Sequence, residues 1–122
     1  MRKLTGIAIT IFSFIIGNFD LMLKILLCVM IIDYMTGIMG AVYSKKLSSK
    51  TGFNGILKKL SILSIICLSN LAGQVVGLEE IRYIAISFYI GNEAISILEN
   101  TGKMGVPFPK KLLEILQQLE NK

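Results

Sequence analysis

Two carboxylates, Asp33 and Glu93, lie inside apolar stretches of the chain and are the residues best placed to do chemistry. A carboxylate pair can act as general acid and base. The sequence contains no histidine, which excludes Ser-His and Cys-His nucleophile pairs. No Walker loop or dinucleotide fingerprint is present, and Cys28 and Cys67 lack a metal-ligand spacing. We therefore predict no enzymatic activity, no cofactor and no bound metal.

Asp33 is the more demanding of the two carboxylates. It lies about 18 Å from the start of the apolar segment 21–43 at helical rise, and a charge at the bilayer centre costs roughly 2.5–3.5 kcal/mol on insertion scales. It therefore needs protonation, water or a partner. The predicted spans offer no cation for it, so Asn70 and Gln74, mid-span on the next segment, are its expected partners. Glu93 is expected about 9 Å from the end of its own segment, where it can snorkel or pair with a loop residue.

Small and polar residues recur at three- and four-residue steps in each apolar segment, so they fall on one face of each helix. Helix packing accounts for the glycines and hydroxyls, because small residues allow close approach in lipid and polar ones hydrogen-bond. The alternative, a pore lining, is favoured only for the two carboxylates. The residues predicted to serve assembly or pore lining are Asp33, Thr36, Gly37, Gly40, Asn70, Gly73, Gln74, Asn92 and Glu93.

Four apolar segments organise the chain: residues 4–16, 21–43, 60–77 and 81–98. A domain of 122 residues that is 53% hydrophobic could not hide so much apolar surface from water. Crossing a bilayer takes about 20 residues, so the last three segments are long enough, whereas the first is either a short span or an interfacial helix. We predict an all-α, integral membrane helical bundle with three to four transmembrane helices.

The last part of the chain differs in character. A turn-rich break at residues 102–109 precedes a short amphipathic helix, residues 110–120. Its predicted apolar face consists of Leu112, Ile115, Leu116 and Leu119. This helix could lie at the membrane interface, pack on the bundle or bind a partner. The predicted division is a transmembrane domain, residues 1–101, and a cytoplasmic amphipathic tail, residues 102–122.

Loop charges predict the orientation. The stretch 44–59 carries five lysines and no acid, whereas the connection 78–80 is short and acidic. Basic loops stay in the cytoplasm, so the first stretch is expected inside and the second outside. If residues 4–16 span, Arg2 and Lys3 also lie inside and every loop agrees. We predict a multi-pass protein of the bacterial cytoplasmic membrane with both termini in the cytoplasm.

Seven short motifs follow one another along the chain: Asp33-Tyr34-Met35-Thr36-Gly37, Lys45-Lys46-Leu47-Ser48-Ser49, Gly52-Phe53-Asn54-Gly55, Lys58-Lys59, Phe88-Tyr89-Ile90-Gly91-Asn92-Glu93, Ser96-Ile97-Leu98-Glu99-Asn100 and Gly105-Val106-Pro107-Phe108-Pro109-Lys110. This ordered set resembles the toxin-secretion/phage-lysis holin family, small bacteriophage holins related to clostridial toxin-release proteins. The similarity runs from about residue 19 to residue 119 and rests on the whole set.

This resemblance implies a holin that accumulates in the host membrane, forms homo-oligomers in the lipid bilayer and opens lesions. Endolysin would then pass through the lesion and lyse the host cell, so the endolysin is only an indirect partner. No nucleic acid partner and no catalytic residues are implied. The alternatives are a holin-like toxin or bacteriocin release protein, a small ion channel and an antiholin. A transporter would show repeated halves and broken helices, and neither is evident.

The predicted orientation can be tested with single cysteines at positions 48 and 79. In intact cells we expect an impermeant thiol reagent to label Glu79→Cys and to leave Ser48→Cys unlabelled, because the basic loop stays inside. External labelling of Ser48→Cys would contradict this topology.

Overall fold

The computed structural model describes residues 1–121, which fold into five α-helices. These are α1 (Arg2–Ile16), α2 (Leu21–Tyr43), α3 (Ser49–Val76), α4 (Glu80–Gly102) and α5 (Lys110–Glu120). No β-strand occurs in the part of the chain described, so the predicted all-α class is confirmed. Of these helices, α2 and α3 are long and apolar enough to cross a membrane.

Two helices extend beyond the apolar segments that predicted them. Ser48 caps α3 by accepting a hydrogen bond from the Thr51 amide at 3.2 Å, so the basic stretch from residue 49 is helical and the true loop is only 44–48. α4 likewise continues to Gly102 rather than ending at residue 98. Hydropathy detects apolar stretches, whereas caps and turns set helix ends. As a result, Lys59 belongs to a helix and not to a loop.

The helices form an antiparallel bundle with α4 at its centre. α4 contacts α2, α3 and α5, and α1 packs on α3. The starts of α2 and α4 lie together, since Asp20 and Arg82 are 2.8 Å apart, so these two helices run parallel and α3 runs opposite to both. We call the end with residues 44–48 the loop end, and the end with residues 17–20 and 77–79 the turn end.

The distribution of side chains is the reverse of that in a soluble protein. The buried apolar core is small, consisting of Ile16, Leu23, Leu26, Met30, Ile62, Ile66, Ile86 and Ile90. In contrast, Ile31 is 61% exposed and Leu68 66% exposed, while Arg82 and Glu93 are buried. Such an apolar surface around a charged interior is unfavourable in water. In lipid it satisfies both groups of side chains.

Glycines shape the turn between α3 and α4. Gly77 has a left-handed backbone with φ of 73°, and the Leu78 amide donates to the Gly73 carbonyl at 2.8 Å, as in a Schellman motif. A Cβ on Gly73 would come within 2.6 Å of the Leu78 carbonyl oxygen. Gly73, predicted as an assembly or pore residue, is therefore buried against its own turn in this structure.

The amphipathic helix α5 has the predicted bounds and folds back along α4. Leu116 and Leu119 are half-buried there, but Leu112 and Ile115 of the predicted apolar face remain 41% and 49% exposed. The two backbones meet at Gly91, where a Cβ would lie 2.7 Å from the Leu116 carbonyl oxygen. Only glycine permits this approach, so Gly91 determines how α5 is seated.

Replacing Gly91 with leucine should push α5 off α4. Overpacking costs about 1–3 kcal/mol, so trypsin cleavage after Lys110 and Lys111 should accelerate by about tenfold or more where cleavage follows the open population. Gly6→Leu is the matched control, because a Cβ at Gly6 meets nothing within 4 Å. Equal cleavage of both variants and the unaltered protein would show that α5 is not held at Gly91.

Candidate functional site: a buried ion cluster

Three charged side chains from three helices meet inside the bundle. The Lys59 ammonium on α3 lies 2.6 Å from Glu93 Oε1 on α4 and also contacts Asp33 Oδ2 on α2. Their side chains are 16%, 3% and 12% exposed, respectively. We call these three residues the ion cluster. It ties α2, α3 and α4 together at one point.

Helix lengths bring the three charges to one level. At helical rise each residue lies about 14–15 Å from the loop end of its helix. That distance is about half the thickness of the hydrocarbon core. If the loop ends of the three helices mark the membrane boundary, the cluster lies near mid-depth, where an unpaired charge is most costly.

Asn100 extends the cluster along the face between α2 and α4. Its amide nitrogen donates to Asp33 Oδ1 at 2.9 Å and to Thr36 Oγ1 at 3.1 Å. Gly37 and Gly40 lie next to Asn100, since a Cβ on either would make an ordinary van der Waals contact of 3.6 Å with an Asn100 atom. The predicted polar stripe of α2 thus faces α4 within one chain.

The predicted partners of Asp33 were wrong. Asn70 donates instead to the carbonyls of Phe14 and Ile15 at 3.0 and 2.9 Å, and Gln74 donates to Phe14 at 3.3 Å. These carbonyls belong to the last turn of α1, which has no helical donors left for them. Asn70 and Gln74 therefore attach α1 to the bundle.

The sequence does not indicate the actual partners of Asp33, because both lie beyond the apolar segments. Lys59 immediately precedes segment 60–77, in the stretch predicted as a loop, and Asn100 follows segment 81–98. Glu93 does pair with this supposed loop residue, but at mid-depth rather than near a boundary. Asn92 is half-buried, and the described structure gives it no hydrogen bond to the ion cluster.

A second polar contact closes the turn end. Arg82, only 5% exposed, donates at 2.8 Å to the carbonyls of Ile16 and Asn18 and to Asp20. Gly17 lies directly under the guanidinium, where any Cβ would overlap with it. One arginine therefore holds the end of α1 and the start of α2 against α4. Nothing in its local sequence indicated this role.

Asp20 is both the partner of Arg82 and the N-cap of α2. Burial works to raise the pKa of its carboxyl group, but the hydrogen bonds from Arg82 and from the Leu23 amide outweigh burial and lower that pKa. Its contribution to stability is therefore present above the ordinary carboxyl pKa and is lost in strong acid as pH falls through the lowered value.

A cavity of about 340 Å³ lies on the loop-end side of the ion cluster. Asp33 and Lys59 line its floor, and Lys58, Glu99 and Asn100 line its walls. The opposite side is apolar: the core residues of α2 precede Asp33, those of α3 follow Lys59, and those of α4 precede Glu93. The cluster thus has a polar cavity on one side and the packed core on the other.

This arrangement offers charge and hydrogen bonding, and its one amine, that of Lys59, is bound to two carboxylates. Within residues 1–121 no group of three or more His, Cys, Asp or Glu residues could hold a metal ion. What the cluster can do is stabilise one packing of three helices in a low-dielectric medium. It would lose that advantage if the helices separated around water. The site is therefore a helix-holding ion cluster inside an apolar helical bundle.

Comparison with known proteins agrees with this class. The chain matches the bacteriophage holin family over residues 10–121 and belongs to that family, which confirms the resemblance found in the sequence. Family membership and two membrane-capable helices together indicate a membrane protein.

Two relatives match most of this chain. An uncharacterized 14.9 kDa protein in the nagH 3′ region of Clostridium perfringens is 41% identical over 115 residues, covering 93% of this chain and 87% of that protein. An uncharacterized protein of Listeria monocytogenes is 38% identical over 107 residues, covering 87% and 76%. No solved structure matches this chain significantly.

Removal of the shared cation should destabilise the bundle. We expect Lys59→Met to lower the free energy of unfolding by about 3 kcal/mol, since breaking a buried ion pair leaves an uncompensated charge. Thermal unfolding in detergent micelles measures this loss. Lys58→Met is the control, because Lys58 is exposed next to it.

Neutralising the partners as well should restore most of the stability. The triple variant Lys59→Met, Asp33→Asn, Glu93→Gln contains no buried charge at this site, so it should unfold close to the unaltered protein. If Lys59→Met unfolds like Lys58→Met, the ion cluster does not hold the helices.

Proposed function

We propose that this protein is a phage holin. It accumulates in the bacterial cytoplasmic membrane, forms homo-oligomers and opens lesions through which endolysin reaches the cell wall and lyses the host. The observation that carries the proposal is a charged ion cluster enclosed by a helical bundle whose outer surface is apolar. Membership of the holin family supports the same function.

The ion cluster supports the proposal of a lesion because its charges can be satisfied in two arrangements of the helices. In the closed bundle described here, Asp33 and Glu93 share the Lys59 ammonium inside one chain. If helices from several copies surround water, the same three charges can be hydrated instead, at one level of the lumen wall. A protein with two such arrangements can shift from one to the other when the membrane concentration of copies rises. Delayed, collective opening is the behaviour that a lysis protein requires.

The proposed topology has the loop end in the cytoplasm. Lys45, Lys46 and Lys50 lie in or next to the loop 44–48, as the positive-inside rule requires for a cytoplasmic loop. α4, with 23 residues, reaches roughly 34 Å and can serve as a third span. α1 runs from the loop end to the turn end and is the proposed fourth, shorter span, which leaves both termini inside.

Assembly residues follow from the same picture. Thr36, Gly37 and Gly40 lie on the face of α2 that packs against Asn100 in the closed bundle. We propose that this face, with the carboxylates, becomes available to other copies or to water when α2 and α4 separate. A holin-like release protein for a toxin or bacteriocin would use the same lesion, and the neighbouring genes would decide between the cargoes.

Expression of the protein alone tests the proposal. In a bacterium we expect a delay after induction and then collapse of the membrane potential, measured with a potential-sensitive dye. Co-expression with a cytoplasmic endolysin that lacks an export signal should then lyse the culture, while the endolysin alone should not. Accumulation of the protein in the membrane with unchanged potential and retained endolysin would refute a holin function.

A further inference from the structure

We propose that the ion cluster of Asp33, Lys59 and Glu93 holds one exchangeable proton in the closed bundle and that this proton equilibrates only with the loop-end side. Because the loop end faces the cytoplasm in the proposed topology, a rise in cytoplasmic pH would favour opening. This inference rests on the holin function proposed above and assigns a regulatory role to the same residues.

The first argument is charge balance. Two carboxylates share one ammonium, so the fully ionised cluster carries one excess negative charge near mid-depth. An uncompensated charge there is costly. One bound proton makes the cluster neutral without breaking its contacts. Opening around water hydrates the charges, so the open form has no such need for the proton.

The second argument is one-sided access. The cavity of about 340 Å³ reaches the cluster from the loop end, and Asp33 and Lys59 form part of its wall. Towards the turn end the cluster is followed by fully buried apolar side chains from all three helices: Leu26, Ile66 and Ile86 have no exposed surface. A second cavity of about 370 Å³ between α2 and α3 also reaches Lys59, but its lining is apolar and offers a proton no hydrated path. A proton can therefore move between the cluster and the loop-end medium, while the core closes the direction of the turn end.

Other ionisable groups near the cluster must be separated from it experimentally. The cavity is also lined by Tyr34 of α2, Lys58 of α3 and Glu99 of α4. Tyr34 is occupied, since its hydroxyl donates to the Gly52 carbonyl at 3.0 Å. α5 packs on α4 and brings the half-buried Glu120 against Gly91, two positions before Glu93.

The sign follows from proton linkage. The closed bundle binds one proton more than the open form, so raising the pH shifts the equilibrium towards opening and lowering it favours closure. One proton limits the response to about tenfold in the open-to-closed ratio for each pH unit. Glu93→Gln and Asp33→Asn both give a neutral cluster at any pH, so each should favour the closed bundle and abolish the response.

Vesicles of defined orientation test the sidedness. The protein is expressed below its trigger level, and inside-out and right-side-out membrane vesicles are loaded with a fluorescent dye. Raising the bath from about pH 6 to about pH 8 should accelerate dye release from inside-out vesicles by about tenfold or more, within the one-proton limit. The same step should leave right-side-out vesicles unchanged, because their bath contacts the turn end.

The variants assign the response to the cluster. Glu93→Gln and Asp33→Asn should release dye slowly at both pH values, whereas Glu120→Gln removes an equal charge nearby and should retain the wild-type response. An equal response in both vesicle orientations, or a response retained by both Glu93→Gln and Asp33→Asn, would overturn the inference. Dye release at the same rate at both pH values would overturn the proton-linked opening but not the proposed holin function. No dye release under any condition would overturn both.

Discussion

The contact of one ammonium with two carboxylates, Lys59 with Asp33 and Glu93, is the constraint around which this bundle is built. Lipid can neither hydrate nor hydrogen-bond these groups, so none of the three can face outward at mid-depth. Three helices must therefore present their charged faces to one another. The contact is made possible by the antiparallel order of α2, α3 and α4. Asn100 points inward to extend it, and the small residues of α2 lie on the face that packs against α4.

The two ends of the bundle are held by different means. At the turn end, Arg82 and the amides of Asn70 and Gln74 satisfy the last carbonyls of α1 and the loop after it. The core residues lie between these turn-end contacts and the ion cluster. Towards the loop end, packing gives way to a polar cavity, and α2 and α4 are joined through Asn100. The bundle is thus tightly packed towards one end and contains a polar cavity towards the other.

Two helices, α1 and α5, lie on the outside of the bundle. α1 contributes only Ile16 to the buried core, and its remaining apolar side chains face outward, as a helix in contact with lipid requires. α5 is held on α4 by a close backbone approach at Gly91, while Leu112 and Ile115 remain exposed beside its lysines. α5 therefore covers one face of α4 and presents these two apolar side chains outward.

Composition and pattern by themselves determined the helical class, the presence of α1 to α5, the bounds of α5 and the holin resemblance, because apolar run length, periodicity and turn residues are local properties. They also identified Asp33 and Glu93 as the costly groups. Only the tertiary structure decided their partners. Lys59 and Asn100 lie just outside the apolar segments, and a linear scan assigns such residues to loops. Helix phase and crossing geometry bring them inward instead, and these depend on contacts between residues far apart in the chain. For the same reason, the sequence did not indicate that Arg82 binds the end of α1 and the start of α2. Nor did it indicate that Asn70 and Gln74 donate to α1 rather than to Asp33.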